Sequence, residues 1–165
     1  MVVLGIDPGT AILGYGVVAL EGDSLSALDF GVLTTPSSLP LTSRLLTLFD
    51  GLTEVISRNN PSEVAVEQLF FARNVQSALA VGHARGVALL SAARHCLPVS
   101  EYTPQQVKQA VAGYGRATKM QVQSMVQIML SLQSIPQPDD AADALAIAIC
   151  HARWNELTGG GRVVL

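Results

Sequence analysis

The order of strand-like and helix-like segments constrains the fold of this 165-residue chain more than any other feature. Three apolar or alternating segments come first, at Val2–Asp7, Gly14–Leu20 and Leu25–Leu33. Two further β-rich segments, Glu63–Glu67 and Val99–Tyr102, each follow a stretch of helical periodicity. This order predicts an α/β fold with a mixed sheet, in which a crossover connection makes Glu63–Glu67 parallel to the first strand.

Five segments have the apolar spacing of helices, and they begin at Leu41, Asn74, Pro104, Thr118 and Asp139. The last of them is predicted to end near residue 156. The second carries small residues at every fourth position, namely Ala78, Gly82 and Gly86. Because glycine weakens a helix, this stripe predicts a close approach of the helix backbone, either to the sheet or to a second subunit.

Composition limits the class of protein. Apolar residues make up 49% of the chain and charged residues 14%, which excludes a disordered chain. The length predicts a single domain over residues 1–156, followed by a flexible tail at 157–165. No apolar run is long enough to span a membrane and no basic segment precedes the first strand, so we expect a cytoplasmic protein. Cys96 and Cys150 lack the spacing of zinc ligands and are predicted to be buried thiols.

The formal charge of -3 is unevenly distributed. Between Gln68 and Pro138 there are six basic residues and one acidic residue, whereas the rest of the chain has four basic and twelve acidic residues. Such a distribution is typical of a surface that faces a polyanion beside an acidic pocket. A scatter of solvated charges explains the same numbers, and composition alone leaves both interpretations open.

Four carboxylates stand at positions suited to metal chemistry. Asp7 and Glu67 end predicted strands, at the edge where open α/β sheets bind ligands, and Asp140 and Asp143 share one face of a helix. Two carboxylates about 5 Å apart repel by about 3 kcal/mol at an effective dielectric constant near 20, which favours protonation or a divalent cation. Oxygen ligands favour Mg²⁺ or Mn²⁺, and two such ions suit phosphodiester hydrolysis. Capping, helix-dipole and turn roles explain Asp140, Asp143 and Asp7 separately, whereas Glu67 ends an apolar strand and is the hardest to explain in this way. Spacing alone does not establish a metal site.

Several motifs in order resemble the RuvC family of Holliday junction resolvases, over residues 1 to about 153. The motif GIDPGT alone is weak, because actin-like and hexokinase ATPases carry a similar strand and turn; the ordered set is specific. The motifs are GIDPGT at 5–10, GYGVV at 14–18, AVEQLFFARN at 65–74, SALAVGHARGVA at 77–88, YTPQQVKQAVAGYGRATKMQV at 102–122 and DDAADALAIAI at 139–149.

The resemblance implies an RNase H-like fold, with a five-stranded mixed sheet flanked by helices. It implies a homodimer that resolves four-way DNA junctions by paired symmetric incisions during homologous recombination and DNA repair. The expected chemistry is two-metal hydrolysis with Mg²⁺, or Mn²⁺ as a substitute, leaving 5′-phosphate and 3′-hydroxyl ends. It also implies cooperation with a RuvA–RuvB branch-migration complex.

The resemblance assigns the metal ligands and catalytic groups to Asp7, Glu67, Asp140 and Asp143. Asp139 is nearly as well placed as Asp140, and the family spacing D-A-A-D selects Asp140. The resemblance also implies a set of DNA contacts, namely Phe70, Arg73, Lys108, Arg116 and Lys119. Phe71 departs from the family pattern, which leaves open which of the two rings meets DNA, and Arg85 is expected to be structural or near the dimer face.

Three alternatives accompany this interpretation. Another RNase H-like nuclease would share the metal chemistry but not the symmetric dimer. Half of an actin-like ATPase would share GIDPGT, although 165 residues leave no second lobe to close over a nucleotide. A junction-binding module without activity is disfavoured, because all four carboxylates are present.

Overall fold

The computed structural model describes residues 1–68 and 75–158. Five strands in these ranges form one sheet of order β3-β2-β1-β4-β5. The first strand pairs antiparallel with the second and parallel with the fourth, which confirms the predicted mixed sheet and crossover. The strands are β1 (Val2–Asp7), β2 (Ile12–Glu21), β3 (Ser24–Thr34), β4 (Glu63–Glu67) and β5 (Val99–Tyr102).

Helices cover both faces of this sheet. Successive residues of a strand point to opposite faces, so Val3 packs in one apolar core and Leu4 in the other. The first two helices pack with Leu4, and the last three pack with Val3. The helices are α1 (Leu41–Asn59), α2 (Val75–Arg94), α3 (Pro104–Ala112), α4 (Lys119–Met129) and α5 (Asp139–Thr158).

Several boundaries differ from the predicted ones. The β2–β3 hairpin is paired from Ile12 with Thr34 to Glu21 with Ser24, because backbone pairing continues past the apolar residues that signalled the strands. The last helix continues to Thr158, and residues 159–165, which make up most of the predicted tail, lie outside the described residues.

Local capping explains where the two helices nearest the candidate site begin. Thr103 and Gln106 form a reciprocal capping box at the start of α3, as do Thr118 and Gln121 at the start of α4. The second box makes Lys119 the first residue of its helix.

Two predictions differ from the structure. The stripe on α2 is predicted to approach either the sheet or a second subunit, and the first alternative is wrong, because a β-carbon at Gly82 or Gly86 would meet nothing within 4 Å. Cys96 is exposed rather than buried, because it lies in the turn after α2 with a left-handed φ of 56°. Cys150 is buried, as expected.

Across the described part of the chain, none of the helices has both the length and the apolar composition required to cross a membrane.

Candidate active site

Sheet topology brings Asp7 and Glu67 to the same end of the sheet. They are the last residues of β1 and β4, which are parallel neighbours, so both carboxylates lie at the same end of the sheet. Asp143 on α5 joins them in a cleft of about 220 Å³. The cleft is lined by Asp7, Glu67, Pro104, Val107, Lys108, Lys119, Val122, Asp143, Ala146 and Ile147.

Glycines on the sheet let α5 come close enough to supply its carboxylates. A β-carbon on Gly5 would lie 2.1 Å from the carbonyl oxygen of Ala144, and one on Gly14 would lie 2.0 Å from that of Asp140. The helix backbone therefore rests directly on the sheet. Because Gly14 pairs with Asp7, this contact sets the first turn of α5 beside Asp7.

The proximity of these acids is visible in the pKa of Asp7. Burial, followed by the charges of Glu67, Asp143 and Asp140, raises the pKa of Asp7 from 3.8 to about 7. Lys119 opposes this shift. The four carboxylates Asp7, Glu67, Asp140 and Asp143 thus form one interacting group, which we call the carboxylate cluster.

The pKa values of the other two cleft acids shift in the same direction. Burial and the charge of Asp143 raise the pKa of Glu67, against the opposing charges of Lys108 and Lys119. Burial also raises the pKa of Asp143, where Lys119 opposes the shift through a hydrogen bond and its charge. Desolvation and like charge together make this cluster a strong candidate for a functional site.

Lys119 supplies positive charge to the cluster. Its Nζ atom lies 2.9 Å from Asp143 Oδ2 and 3.2 Å from Asp139 Oδ2. The side chain of Asp139 is half exposed, whereas the charge of Asp140 acts on Asp7. The two adjacent aspartates therefore have different surroundings.

The all-oxygen donor set suits Mg²⁺ or Mn²⁺. A carboxyl group with a pKa near 7 gains most from a cation that favours its ionised form. Within the two described ranges, no three His, Cys, Asp or Glu side chains already surround one point as ligands.

The predicted DNA contacts are distributed unevenly around this cleft. Lys108 and Lys119 line it, whereas Arg116 is exposed in the link between α3 and α4. Phe70 and Arg73 lie outside the described residues, as does Phe71. Arg85 forms an ion pair with Glu101 on β5, which agrees with a structural role.

A hydrogen-bonded network that the sequence analysis did not identify anchors the loop after Asp7. Thr35 Oγ1 donates to the carbonyl oxygen of Thr10 and accepts from Arg44 Nε at 2.8 Å. Both threonines are buried. The loop is therefore tied to β3 and α1, and the sequence carries no local signal for a contact between residues 25 positions apart.

We expect Asp7→Asn to change the pH dependence of stability in the presence of a chelator. The folded-state pKa of Asp7, about 7, exceeds its ordinary value of 3.8, so its ionisation destabilises the folded protein increasingly as the pH rises between these values. The variant should gain a few kcal/mol of unfolding free energy relative to wild type across that window, at about 1.4 kcal/mol per pKa unit, and no more above it. Urea titrations at a series of pH values measure this difference, and a pH-independent difference would contradict the shifted pKa.

Comparisons with known proteins agree with the geometry. A family model described as crossover junction endodeoxyribonuclease RuvC matches residues 3–151. The RuvC of Desulforamulus reducens is 56% identical over 163 residues, covering 99% of both chains. That of Heliobacterium modesticaldum is 59% identical over 160 residues, covering 97% of this chain and 98% of the relative.

Solved structures give the same result. The structure of T. thermophilus RuvC in complex with Holliday junction substrate is 41% identical, with a TM-score of 0.92 and 99% of each chain covered. The yeast mitochondrial Holliday junction resolvase Ydc2 is 19% identical, with a TM-score of 0.65, and shares the fold alone. These matches confirm the expected RNase H-like fold. The chain therefore belongs to the RuvC family of crossover junction endodeoxyribonucleases.

Proposed function

We propose that this chain resolves four-way DNA junctions by paired, symmetric, Mg²⁺-dependent incisions that leave 5′-phosphate and 3′-hydroxyl ends. The observation that carries the proposal is the gathering of Asp7, Glu67 and Asp143 in one cleft. Burial raises the pKa of all three, and the charge of Asp143 adds to the shifts of Asp7 and Glu67. A cluster that is costly without a cation is expected where divalent ions take part in the chemistry.

Asp7, Glu67, Asp140 and Asp143 are the residues that would hold the metal. Asp140 is favoured over Asp139, because its charge acts on Asp7 while Asp139 faces Lys119 in a half-exposed position. Two bound divalent ions would supply an activated water and stabilise the departing 3′ oxygen of the scissile phosphate. Mn²⁺, which accepts the same oxygen ligands, is the expected substitute.

The two lysines of the cleft have separate roles in this proposal. Lys119 offsets the negative charge of Asp143 and Asp139 by contacting one oxygen of each carboxylate, and the second oxygen of Asp143 would still be able to serve as a ligand. Lys108 lies beside Glu67, where its ammonium group can meet a phosphate entering the cleft. Phe70, Arg73 and Arg116 are proposed as further DNA contacts, with Phe70 stacking on a base at the crossover.

Net charge is compatible with a DNA substrate. Setting aside the four carboxylates of the cluster, each with one negative charge, changes the formal charge from -3 to +1. Bound divalent cations raise it further. Metal loading would therefore make the cleft attractive to phosphate groups.

We predict that Lys108→Ala weakens junction binding and lowers the dependence of log affinity on log salt concentration by about one unit, since one phosphate contact is lost. Arg94→Ala is the matched control, because Arg94 is exposed in the last turn of α2 and does not line the cleft. Binding titrations at several salt concentrations measure both quantities. An equal change in slope for both variants would count against a specific role of Lys108.

We propose a homodimer formed through the exposed face of α2. Leu79 and Leu90 are 58% and 60% exposed on this helix, although both are large apolar residues. Gly82 and Gly86 leave open space beside them, which would allow a second backbone to approach closely. A symmetric dimer presents two clefts to a junction, as paired incisions require.

The proposed function includes a partner and a location. This chain would cooperate with a RuvA–RuvB complex. It would act in the cytoplasm, where bacterial DNA recombines.

Leu90→Glu should convert the dimer into a monomer, because it buries a charge at the proposed interface without disturbing the core. Ile128→Glu is the control, since Ile128 is similarly exposed, at 66%, on α4. Sedimentation velocity measures the mass of each variant, and single nicks should replace paired incisions for Leu90→Glu alone. A variant that stays dimeric would exclude this face as the interface.

The decisive experiment compares a synthetic four-way junction with a linear duplex of the same sequence, in the presence of Mg²⁺ or of a chelator. The proposal predicts paired incisions in the junction only, and only with the metal. Equal cleavage of the linear duplex would favour the alternative of a nuclease without junction selectivity.

A further inference from the structure

A buried histidine connects the elements that carry the carboxylate cluster. His151 on α5 is 1% exposed. Its Nδ1 atom lies 2.7 Å from the hydroxyl group of Tyr102 on β5, and its Nε2 atom lies 2.9 Å from Glu63 Oε2 on β4. A neutral imidazole satisfies both contacts when Tyr102 donates to Nδ1 and the Nε2–H group donates to Glu63.

These contacts lie at the far end of the same helix–strand pair that forms the cleft. Asp143, Ile147 and His151 recur at every fourth position of α5 and share one face. Glu63 and Glu67 are the first and last residues of β4, four residues apart, and point to one face of the sheet. The charge of Asp143 therefore acts on Glu67 at one end, and His151 contacts Glu63 at the other.

The lengths of the two elements match. Eight residues of helix, from Asp143 to His151, span about 12 Å at 1.5 Å per residue. Four steps of strand, from Glu63 to Glu67, span about 13 Å at 3.3 Å per residue. The contact of His151 with Glu63 therefore sets where Asp143 lies relative to Glu67, and a sliding of α5 along β4 would break that contact and change the separation of the two acids.

The interaction between α5 and β4 is repulsive at one end and attractive at the other. At the cleft, Glu67 and Asp143 repel each other. At the other end, His151 binds Glu63 and Tyr102 through hydrogen bonds in a buried environment. We propose that His151 is a positioning residue, whose bonds to Glu63 and Tyr102 hold α5 in the register that keeps Asp143 beside Glu67 before metal binds.

This inference rests on the proposed function only in that the cluster binds Mg²⁺. It predicts that removing the hydrogen bonds of His151 lowers the affinity for Mg²⁺, an effect that a destabilising substitution elsewhere in the core does not have. If the hydrogen bonds of His151 with Glu63 and Tyr102 had only a structural role, their loss would lower folding stability and leave Mg²⁺ affinity unchanged, as for any buried contact.

The experiment measures the Mg²⁺ concentration that gives half of the maximal thermal stabilisation, which needs no cleavage. Tyr102→Phe removes one hydrogen bond with little change of shape, and His151→Phe removes both. Leu52→Ala is the control, because Leu52 is fully buried on α1, across the sheet from the cleft, and its loss destabilises the core without touching α5. The Mg²⁺ dependence of junction cleavage is recorded in parallel.

We expect His151→Phe to raise the required Mg²⁺ concentration by about tenfold, the size of effect found for groups that orient metal ligands, and Tyr102→Phe to raise it less. His151→Gln, whose amide can still donate to Glu63, should restore part of the affinity. Leu52→Ala should lower the melting temperature and leave the Mg²⁺ requirement unchanged. The inference is overturned by an unchanged requirement in folded His151→Phe, or by wild-type protein that Mg²⁺ does not stabilise. Stabilisation without junction cleavage would count against the proposed function alone.

Discussion

Asp7→Asn is expected to abolish junction cleavage and to leave junction binding intact. Asp7 is the most strongly perturbed acid of the cluster, with a pKa raised to about 7 by burial and by three neighbouring carboxylates. An asparagine fits the same space but offers a single neutral oxygen to a cation. We expect a loss of about a thousandfold or more in the cleavage rate, which is typical when one member of a cooperating catalytic group is removed.

The control for this variant is Asp50→Asn, which removes the same charge from an exposed position on α1. Cleavage is measured on the four-way junction in single-turnover experiments, and binding is measured with a chelator present. Loss of both binding and cleavage would show that Asp7 supports the fold rather than the chemistry. Cleavage by Asp7→Asn at the rate of the control would remove Asp7 from the active site.

The convergence of Asp7 and Glu67 was predictable, because a parallel pair of strands brings its carboxyl ends to one edge. The order of segments established that pairing without any knowledge of side-chain contacts. The position of Asp143 required more, since the spacing of residues on a helix does not say where the helix docks. The family spacing selects Asp140 over Asp139, whereas the different surroundings of these two aspartates follow from the docking of α5.

The glycines that let α5 rest on the sheet are not the ones that the sequence singled out. The stripe of Gly82 and Gly86 on α2 faces open space, whereas Gly5 and Gly14 lie directly against α5. Alternate glycines in a strand, as in GYG, carry a signal for close backbone approach that is as strong as the one on a helix. A local glycine pattern does not show which element packs against it, so the partner of each glycine becomes known only from the tertiary structure.

Lys119 shows a second limit of sequence reasoning. The resemblance assigns it to DNA, and its position in the cleft is compatible with that role. Its bond to Asp143, 24 positions along the chain, has no local signature. The pairing arises because the capping box at Thr118 begins α4 beside the first turns of α5, an arrangement that only the folded chain displays.

Gly14→Ala is expected to damage both the fold and the metal site. A β-carbon at this position would lie 2.0 Å from the carbonyl oxygen of Asp140 and 2.5 Å from its carbonyl carbon. Both are backbone atoms, so no side-chain rotation relieves the clash and α5 must move away from β2. We expect a loss of about 3 kcal/mol in unfolding free energy, at the upper end of the cost of overpacking.

The same displacement moves Asp140 and Asp143 away from Asp7, so Mg²⁺ should no longer stabilise the folded fraction of the variant. Gly51→Ala is the matched control, because its β-carbon would meet only the flexible end of the Leu33 side chain, at 2.8 Å. That substitution should cost little, since alanine also favours the helix. Urea unfolding with and without Mg²⁺ separates the two variants. A Gly14→Ala protein with the stability and Mg²⁺ response of wild type would show that the sheet and α5 do not need this contact to assemble the carboxylates.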